Sequence, residues 1–537
     1  MSTKVFIRDW LELKPYNKPV ATDTYYVQLS NKVKNAIIEN RYSLTLRKVL
    51  DFDLLNNLSC FITSYLEDLV SETNIWNTFI KCHKEMYGKP LPFFDCKHYV
   101  QEEINVQDIK FLIWYYLNTS QDTQLIHPKN DFISFTAEKI MVVFDEVWEY
   151  APPNEALIKF YSLTDNETDY YTVRNVIDTI LYKTYLFSND TAFELKMNEL
   201  ELFQKHEFDS HLVSYLNENR DNLLNSQRTA LLAMSGAEWL AHLLSPSNSL
   251  YPKLTNISPR VFGYFFYKGQ NEQFIHLEHV ASGKLFKLDQ RSFDRNDLLT
   301  KADEIVYLGM IRWDGNWWFS GNFTSVGFNA DLVLDEKNSI SSRALVSFLD
   351  HEQMNMEEVM QEQRDMFLAY TGGHELVFLE ENKVQNFIEG YKAFSSTFLK
   401  LSEQEVKEAQ QRAAKEGFIG SENDRNSVNS ENLAQIYFNP KRGIEIVFNI
   451  HNAIPLPNNT NFNIYESEDD VIHVLTSSNI SKELAEFCIE IGKDKLPFYN
   501  TNIGKTYLEN LDFMLRFWKK EAYFSKPEIA FTGTNKS

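Results

Sequence analysis

Four residues near position 90 have the right chemistry for a metal. Lys81-Cys82-His83 and Cys96-Lys97-His98 bring two cysteines and two histidines close together in the chain. Zinc asks for four such ligands converging tetrahedrally, commonly with two of them in a C-x₂₋₄-C pair. Neighbouring residues on a helix diverge by about 100°, so Cys82 and His83 would face apart. Cys82 also falls on an apolar stripe with Phe79 and Met86. A packed cysteine is therefore expected, and neither a metal nor any other cofactor is assigned. His206-Glu207-Phe208-Asp209-Ser210-His211 resembles the H-E-x-x-H pattern of metalloproteases with one residue too many. At that spacing the second histidine is rotated about 140° from the first, so both read as surface residues of a polar helix.

Acid–base chemistry has its own candidates. Glu357, Glu358, Glu362 and Asp365, with His351 upstream, form an acidic face on a Met-rich helix expected from near Asp350 to near Tyr370. Paired carboxylates serve catalysis when their surroundings push their pKa values apart, but a charge run on a helix is more often its solvated side. Met354, Val359, Met366 and Phe367 supply apolar surface beside it, a combination suited to adaptable partner binding. Thr371-Gly372-Gly373-His374 lacks the frame of a nucleotide-binding loop and sits where a helix needs a glycine cap. No G-x-S-x-G is present, so the commonest mark of a hydrolase nucleophile is missing.

The elements that would position these groups are clearest between residues 260 and 328. Arg260–Gly269, Gln273–Val280, Lys284–Leu288, Glu304–Trp313 and Trp317–Val326 read as short strands. They are separated by Gly269-Gln270-Asn271, Ser282-Gly283 and Asp314-Gly315-Asn316, residue types that tolerate the φ > 0 of tight hairpins. Such spacing implies a small, strongly curved barrel of SH3-like type, a module that more often binds than catalyses. On the second strand His276 and Glu278 share a face with Phe274, and Ile275 and Leu277 face the core. Trp313, Trp317 and Trp318 flank the last turn. Exposed indoles there could stack on a partner, or they pack against the helices that precede them.

Before this module the chain reads as helices. Asp51 caps a stripe of Leu54, Leu55, Leu58, Phe61, Ile62, Tyr65, Leu66 and Leu69. After it, His374–Glu380 reads as a strand, Val384–Leu399 as a helix, and Ser402-x-x-Glu405 as a capping box. Residues 417–432 are polar and without period, hence a mobile loop. Leu433–Phe438 and Ile444–Ile450 form a hairpin, Val471–Leu475 a short strand, and Leu484/Phe487/Cys488/Ile491 and Leu508/Leu511/Leu515/Trp518 two helices. The expected fold is α+β: a helical domain at 1–245, a small SH3-like β-barrel at 255–335, and an α+β domain at 345–537.

With 537 residues, three or four domains are expected at ~150 residues each. The net charge of −22, without any basic stripe, argues against direct nucleic-acid binding. Four scattered cysteines do not form a disulfide framework. The opening residues lack the apolar stretch of a signal peptide, and no window reaches the length of a membrane span. The expected location is the cytoplasm.

Three stretches carry a resemblance: Arg8-Asp9-Trp10-Leu11-Glu12-Leu13-Lys14-Pro15-Tyr16 with Asp23-Thr24-Tyr25-Tyr26, then Asn439 to Pro457, then Tyr507 to Phe513 with Arg516-Phe517-Trp518. Together they resemble an uncharacterised family of bacterial proteins of unknown function, over the whole chain. The resemblance implies no activity, cofactor or catalytic residue. Glu304 to Ser320 is similar to a β segment of bacterial proteins that end in a SecA-type metal-binding tail. Phe531–Ser537 contain no cysteine here, so no metal role is carried over.

The expectation is a non-enzymatic interaction or regulatory protein that binds a protein partner through Trp313, Trp317, Trp318, Met354 and Met366. The alternatives are an enzyme drawing on His276, Glu278, His374 and Glu375 between the barrel and the C-terminal domain, and an accessory factor on a nucleic-acid machine.

Overall fold

Asp51 starts the longest helix, Phe52–Val70, by accepting hydrogen bonds from the backbone N–H groups of Asp53 and Leu54 at 3.0 and 2.9 Å. These are two of the donors that a helix start leaves without partners. Its neighbours Asp23–Ile38, Ile75–Tyr87 and Val106–Thr119 pack on it around an aromatic core that includes Phe61, Trp76, Phe79, Phe111 and Tyr115, and Asp131–Asp145 packs on the first and last of these. Helices Tyr170–Lys183, Thr191–His206, Leu212–Ser226 and Gly236–Leu244 follow. The computed structural model describes residues 4–39, 50–121, 125–294, 301–339, 354–400, 432–524 and 530–533, with positions 42, 299, 342, 346, 404 and 407 between them. The loop expected at 417–432 lies outside the described residues except for Asn432, as do His351, Ser402 and Glu405. Of Met354, Glu357 and Val359 only the backbone is described.

The five expected strands are present as β1 (Val261–Gln270), β2 (Phe274–His279), β3 (Leu285–Asp289), β4 (Ile305–Trp313) and β5 (Asn316–Ser325), hydrogen-bonded in the closed order β1-β2-β3-β5-β4. Asp314 and Gly315 both take positive φ, 49° and 83°, the signature of the two-residue turn whose twist matches paired strands. Ile275 and Leu277 are buried, and Phe274, His276 and Glu278 face outward, as strand alternation requires.

The second half mixes helices with a sheet ordered β6-β7-β8-β9. Its strands are β6 (Leu376–Glu380), β7 (Leu433–Asn439), β8 (Gly443–Phe448) and β9 (Ala530–Gly533). The Met-rich helix Met354–Thr371 and the helix Val384–Phe398 accompany them. Met360, Met366, Phe367, Tyr391, Ile436, Phe438 and Ile444 form one apolar core. The Met-rich helix stops at Gly372 and Gly373, both at positive φ, where Gly373 N–H donates to the Leu368 carbonyl at 2.7 Å.

Three expectations fail here. Val471–Leu475 belongs to the helix Ser467–Thr476, not to a strand. The run is too short for periodicity to decide, and Glu468, Asp469 and Asp470 in the first turn favour a helix start through its dipole. Leu508 to Trp518 breaks at Asn510 into Asn502–Glu509 and Leu511–Trp518. Similarly, His206 ends one helix and His211 precedes the next.

By its internal contacts the chain forms two units. The first comprises residues 1–262, 267–277 and 286–325, the second residues 263–266, 278–285 and 326–537. Among the described residues no helix is long and apolar enough to cross a membrane.

Candidate functional site

In the second unit, the end of the Met-rich helix opens into a cleft of ≈ 530 Å³. Arg364 and Leu368 come from that helix, Gly373, His374, Glu375 and Leu376 from its cap and β6, Leu456 to Asn458 from a loop, and Phe487 and Ile491 from the helix Lys482–Gly492. Leu368, Leu456, Phe487 and Ile491 are all left half-buried. Arg364 is ion-paired with Glu375, and Asn458 Nδ2 donates to the Leu376 carbonyl at 3.2 Å. The rim charges thus neutralise each other around an apolar wall.

The structure brings His374 and Glu375 into this cleft. Elsewhere, His276 lies on the outer face of β2, 3.4 Å from Asn271 Nδ2, with Glu278 on the same face. Met366 is 4 % exposed and belongs to the core. A methionine on that side of the helix packs against β7 and β8 and offers nothing to a partner. Glu358, Glu362 and Asp365 are exposed, the solvated side of the helix. Leu456, Phe487 and Ile491 escaped the sequence reading. Phe487 and Ile491 lay in a predicted stripe, but no periodicity says which part of a stripe stays uncovered.

The tryptophans of the β module divide. Trp313 and Trp318 are 1 % and 2 % exposed. Trp318 meets Tyr171 edge-on at 5.9 Å, and the Arg291 guanidinium lies 5.0 Å from its ring centre. Tyr171 in turn donates its hydroxyl to the carbonyls of Ser292 and Phe319 at 2.7 and 3.1 Å. Trp318 is thus sealed against the helix Tyr170–Lys183, whose apolar face cannot remain uncovered in water. Trp317 alone of the three keeps exposed surface, against Phe286 at 5.1 Å.

A buried charge cluster locks β5 to the helix Leu212–Ser226. Arg260 reaches Glu218 at 2.7 Å, and Asp221 accepts from Arg174 at 2.9 Å, from Ser320 Oγ at 3.0 Å and from Gly321 N–H at 2.5 Å. A side chain at Gly309 or Gly321 would collide with the Arg260 guanidinium, so glycine makes room for the charge. Gly321 also sits at φ +85°.

The metal candidates resolve differently from their order in the chain. His83 Nδ1 lies 2.7 Å from the Lys89 carbonyl, Cys96 Sγ lies 3.6 Å from the Phe94 carbonyl, and His98 is exposed. Cys82 instead faces Glu85 and His242, with ligand atoms all within 4.8 Å of one another. Glu85 was legible as an i+3 neighbour on the same helix face. His242 was not, being brought in by a distant helix.

The opening stretch that carried the family resemblance folds into a buried polar network. Asp23 accepts from Trp10 Nε1 and the Tyr16 hydroxyl, both at 2.8 Å, and from Val20 N–H at 2.7 Å. Lys14 is ion-paired with Glu67 and donates to Ser64 Oγ at 3.0 Å, with its ammonium 3.7 Å from the centre of the Trp10 ring. Asn154 Nδ2 joins the parts, donating to Tyr16 and Glu67 at 2.9 Å each. Buried this deeply, the network positions helices and is out of reach of a substrate.

No curated protein and no solved structure matches this chain. A family model described as "Protein of unknown function (DUF3843)" matches residues 4–258. The network from Trp10 to Asn154 lies inside that range, and the segments at 439–457 and 507–518 lie beyond it. The likeness to this uncharacterised family is thus shown for residues 4–258, just under half of the chain.

Proposed function

We propose that this is a non-enzymatic cytoplasmic interaction or regulatory protein. In this reading the cleft at the end of the Met-rich helix takes an apolar side chain of a partner protein. The supporting observation is the half-buried wall of Leu368, Leu456, Phe487 and Ile491 beside a self-neutralised Arg364–Glu375 pair. Apolar anchors of this kind, ringed by polar groups, carry most of the energy of protein recognition. The five-stranded module is, in this reading, an SH3-like barrel and the middle of three domains at 1–245, 255–335 and 345–537. Trp317 is its available aromatic.

The test is affinity isolation from the native host with wild-type protein and Ile491→Glu in parallel. A stoichiometric protein partner should accompany the wild type and disappear with Ile491→Glu, while the melting temperature stays within a few degrees. Equal recovery of the partner with both would remove the cleft from the interface. The barrel, through Trp317→Ala, would then be the surface to examine.

A further inference from the structure

Helix Ile75–Tyr87 and helix Gly236–Leu244 pack together in the first unit. Cys82 and Glu85 stand one turn apart on the first, so their side chains share a face. His242 lies in the last turn of the second, after a start secured by the reciprocal Ser235–Glu238 capping box. The Tyr251 ring meets the imidazole edge-on at 5.5 Å and limits its rotation.

One ligand atom from each of Cys82, Glu85 and His242 lies within 4.8 Å of the other two. Among the described residues these atoms make no hydrogen bond or ion pair with one another, and His242 Nδ1 is buried with no partner at all. Cys82 is 1 % exposed, His242 half-buried and Glu85 exposed. The trio therefore runs from the interior to the surface. Polar atoms buried without partners are costly, and a thiol, an imidazole and a carboxylate make an unusual group to gather without bonding.

We propose that Cys82, Glu85 and His242 bind a divalent zinc ion, with water from the solvent side completing a tetrahedral site. Zn²⁺ takes Cys sulfur at about 2.3 Å and His nitrogen or carboxylate oxygen at about 2.0–2.2 Å, so bound ligand atoms stand roughly 3.5 Å apart. Small rotations of three side chains close the present spacing to that value. The donor set, one soft thiolate with one imidazole and one carboxylate, suits zinc better than magnesium or calcium. The thiolate and carboxylate neutralise the ion, and nearby Lys81 and Glu238 offset each other. Burial pushes the Cys82 thiol up to about 12, so binding displaces its proton to solvent and strengthens as pH rises. This site is separate from the partner cleft, and its failure would leave that reading intact.

The test uses the full chain, stripped with a chelator and titrated with Co²⁺ and then Zn²⁺. The expected result is one Co²⁺ per chain with a thiolate-to-cobalt charge-transfer band, displaced by one equivalent of Zn²⁺. Cys82→Ser should abolish the band. Glu85→Gln, an exposed change that leaves the helix intact, should weaken binding by at least ~10-fold, since even outer-shell losses at metal sites cost that much. No charge-transfer band in the wild type, or Glu85→Gln binding as tightly as the wild type, overturns the proposal.

Discussion

The helical core of the first unit and the sheet–helix core of the second solve the same packing problem with different materials. In the first, Lys14, Asp23, Glu67, Asp68 and Asp108 are buried among aromatic rings. Each carboxylate collects several donors; Asp68 alone accepts from Thr73, Ile75 N–H, Trp76 N–H and the Tyr185 hydroxyl. In the second, the core around Phe367 is built from Met, Phe, Tyr, Ala and Ile. Its buried charge among the described residues gathers away from that core. There Lys519 donates to the Ile480 carbonyl at 2.8 Å, and Glu445 accepts from Ser481 N–H at 2.8 Å and Asn439 at 2.9 Å. A buried charge has few arrangements that satisfy it, whereas an apolar contact has many. The first core is therefore specified by bonds and the second by volume.

That contrast breaks most visibly at Glu67. Glu67→Ala leaves the Lys14 ammonium buried without its counter-charge and should cost about 3–5 kcal/mol in chemical denaturation. Replacing both partners, as Lys14→Met with Glu67→Leu, should recover most of that loss. A single variant that loses less than ~1 kcal/mol would mean the pair does not define the helical core.

A smaller effect should appear in the pH dependence. Burial raises the Asp108 carboxyl from its ordinary 3.8 to about 7, against the lowering influence of the Tyr65 hydroxyl and the Asn105 amide, which donate to it at 2.7 and 3.5 Å. The folded state thus holds this proton more tightly than the unfolded chain. Its contribution is fully present below pH ~4 and is lost as pH rises through about 7. Asp108→Asn should remove this slope, so the stability difference between variant and wild type should shift in the variant's favour from pH 4 to pH 7. Parallel curves would show that Asp108 is ionised throughout.

The smallest change belongs to the apolar core. Ile436→Val should cost only ~0.5–1.5 kcal/mol at any pH, because neighbouring side chains can close on one missing methylene. A loss as large as that of Glu67→Ala would erase the distinction between the two cores.

The five strands of the β module were legible to within a residue or two, because alternation and glycine-bearing turns are local signals. The Asp51 cap and the Gly372-Gly373 stop were readable for the same reason. Val471–Leu475 was not, since five apolar-rich residues fit both periods. The cleft was half visible. His374 and Glu375 could be named, but the wall formed by Leu456, Phe487 and Ile491 depends on which ends of the surrounding elements stay uncovered. Among the tryptophans, adjacency to a turn was plain. Burial of Trp318 was settled by Tyr171, which lies far earlier in the chain.

The sequence by itself determined the α+β order of elements, the turns of the β module, and the shortage of basic stripes. All of these follow from residue types within a few positions of each other. Only the tertiary structure decided that Cys82 faces Glu85 and His242, that Lys14 meets Glu67, and that Met366 is core. The physical reason is common to the three: such pairings arise where two apolar faces bury each other, and the polar groups they carry are matched only when those faces meet.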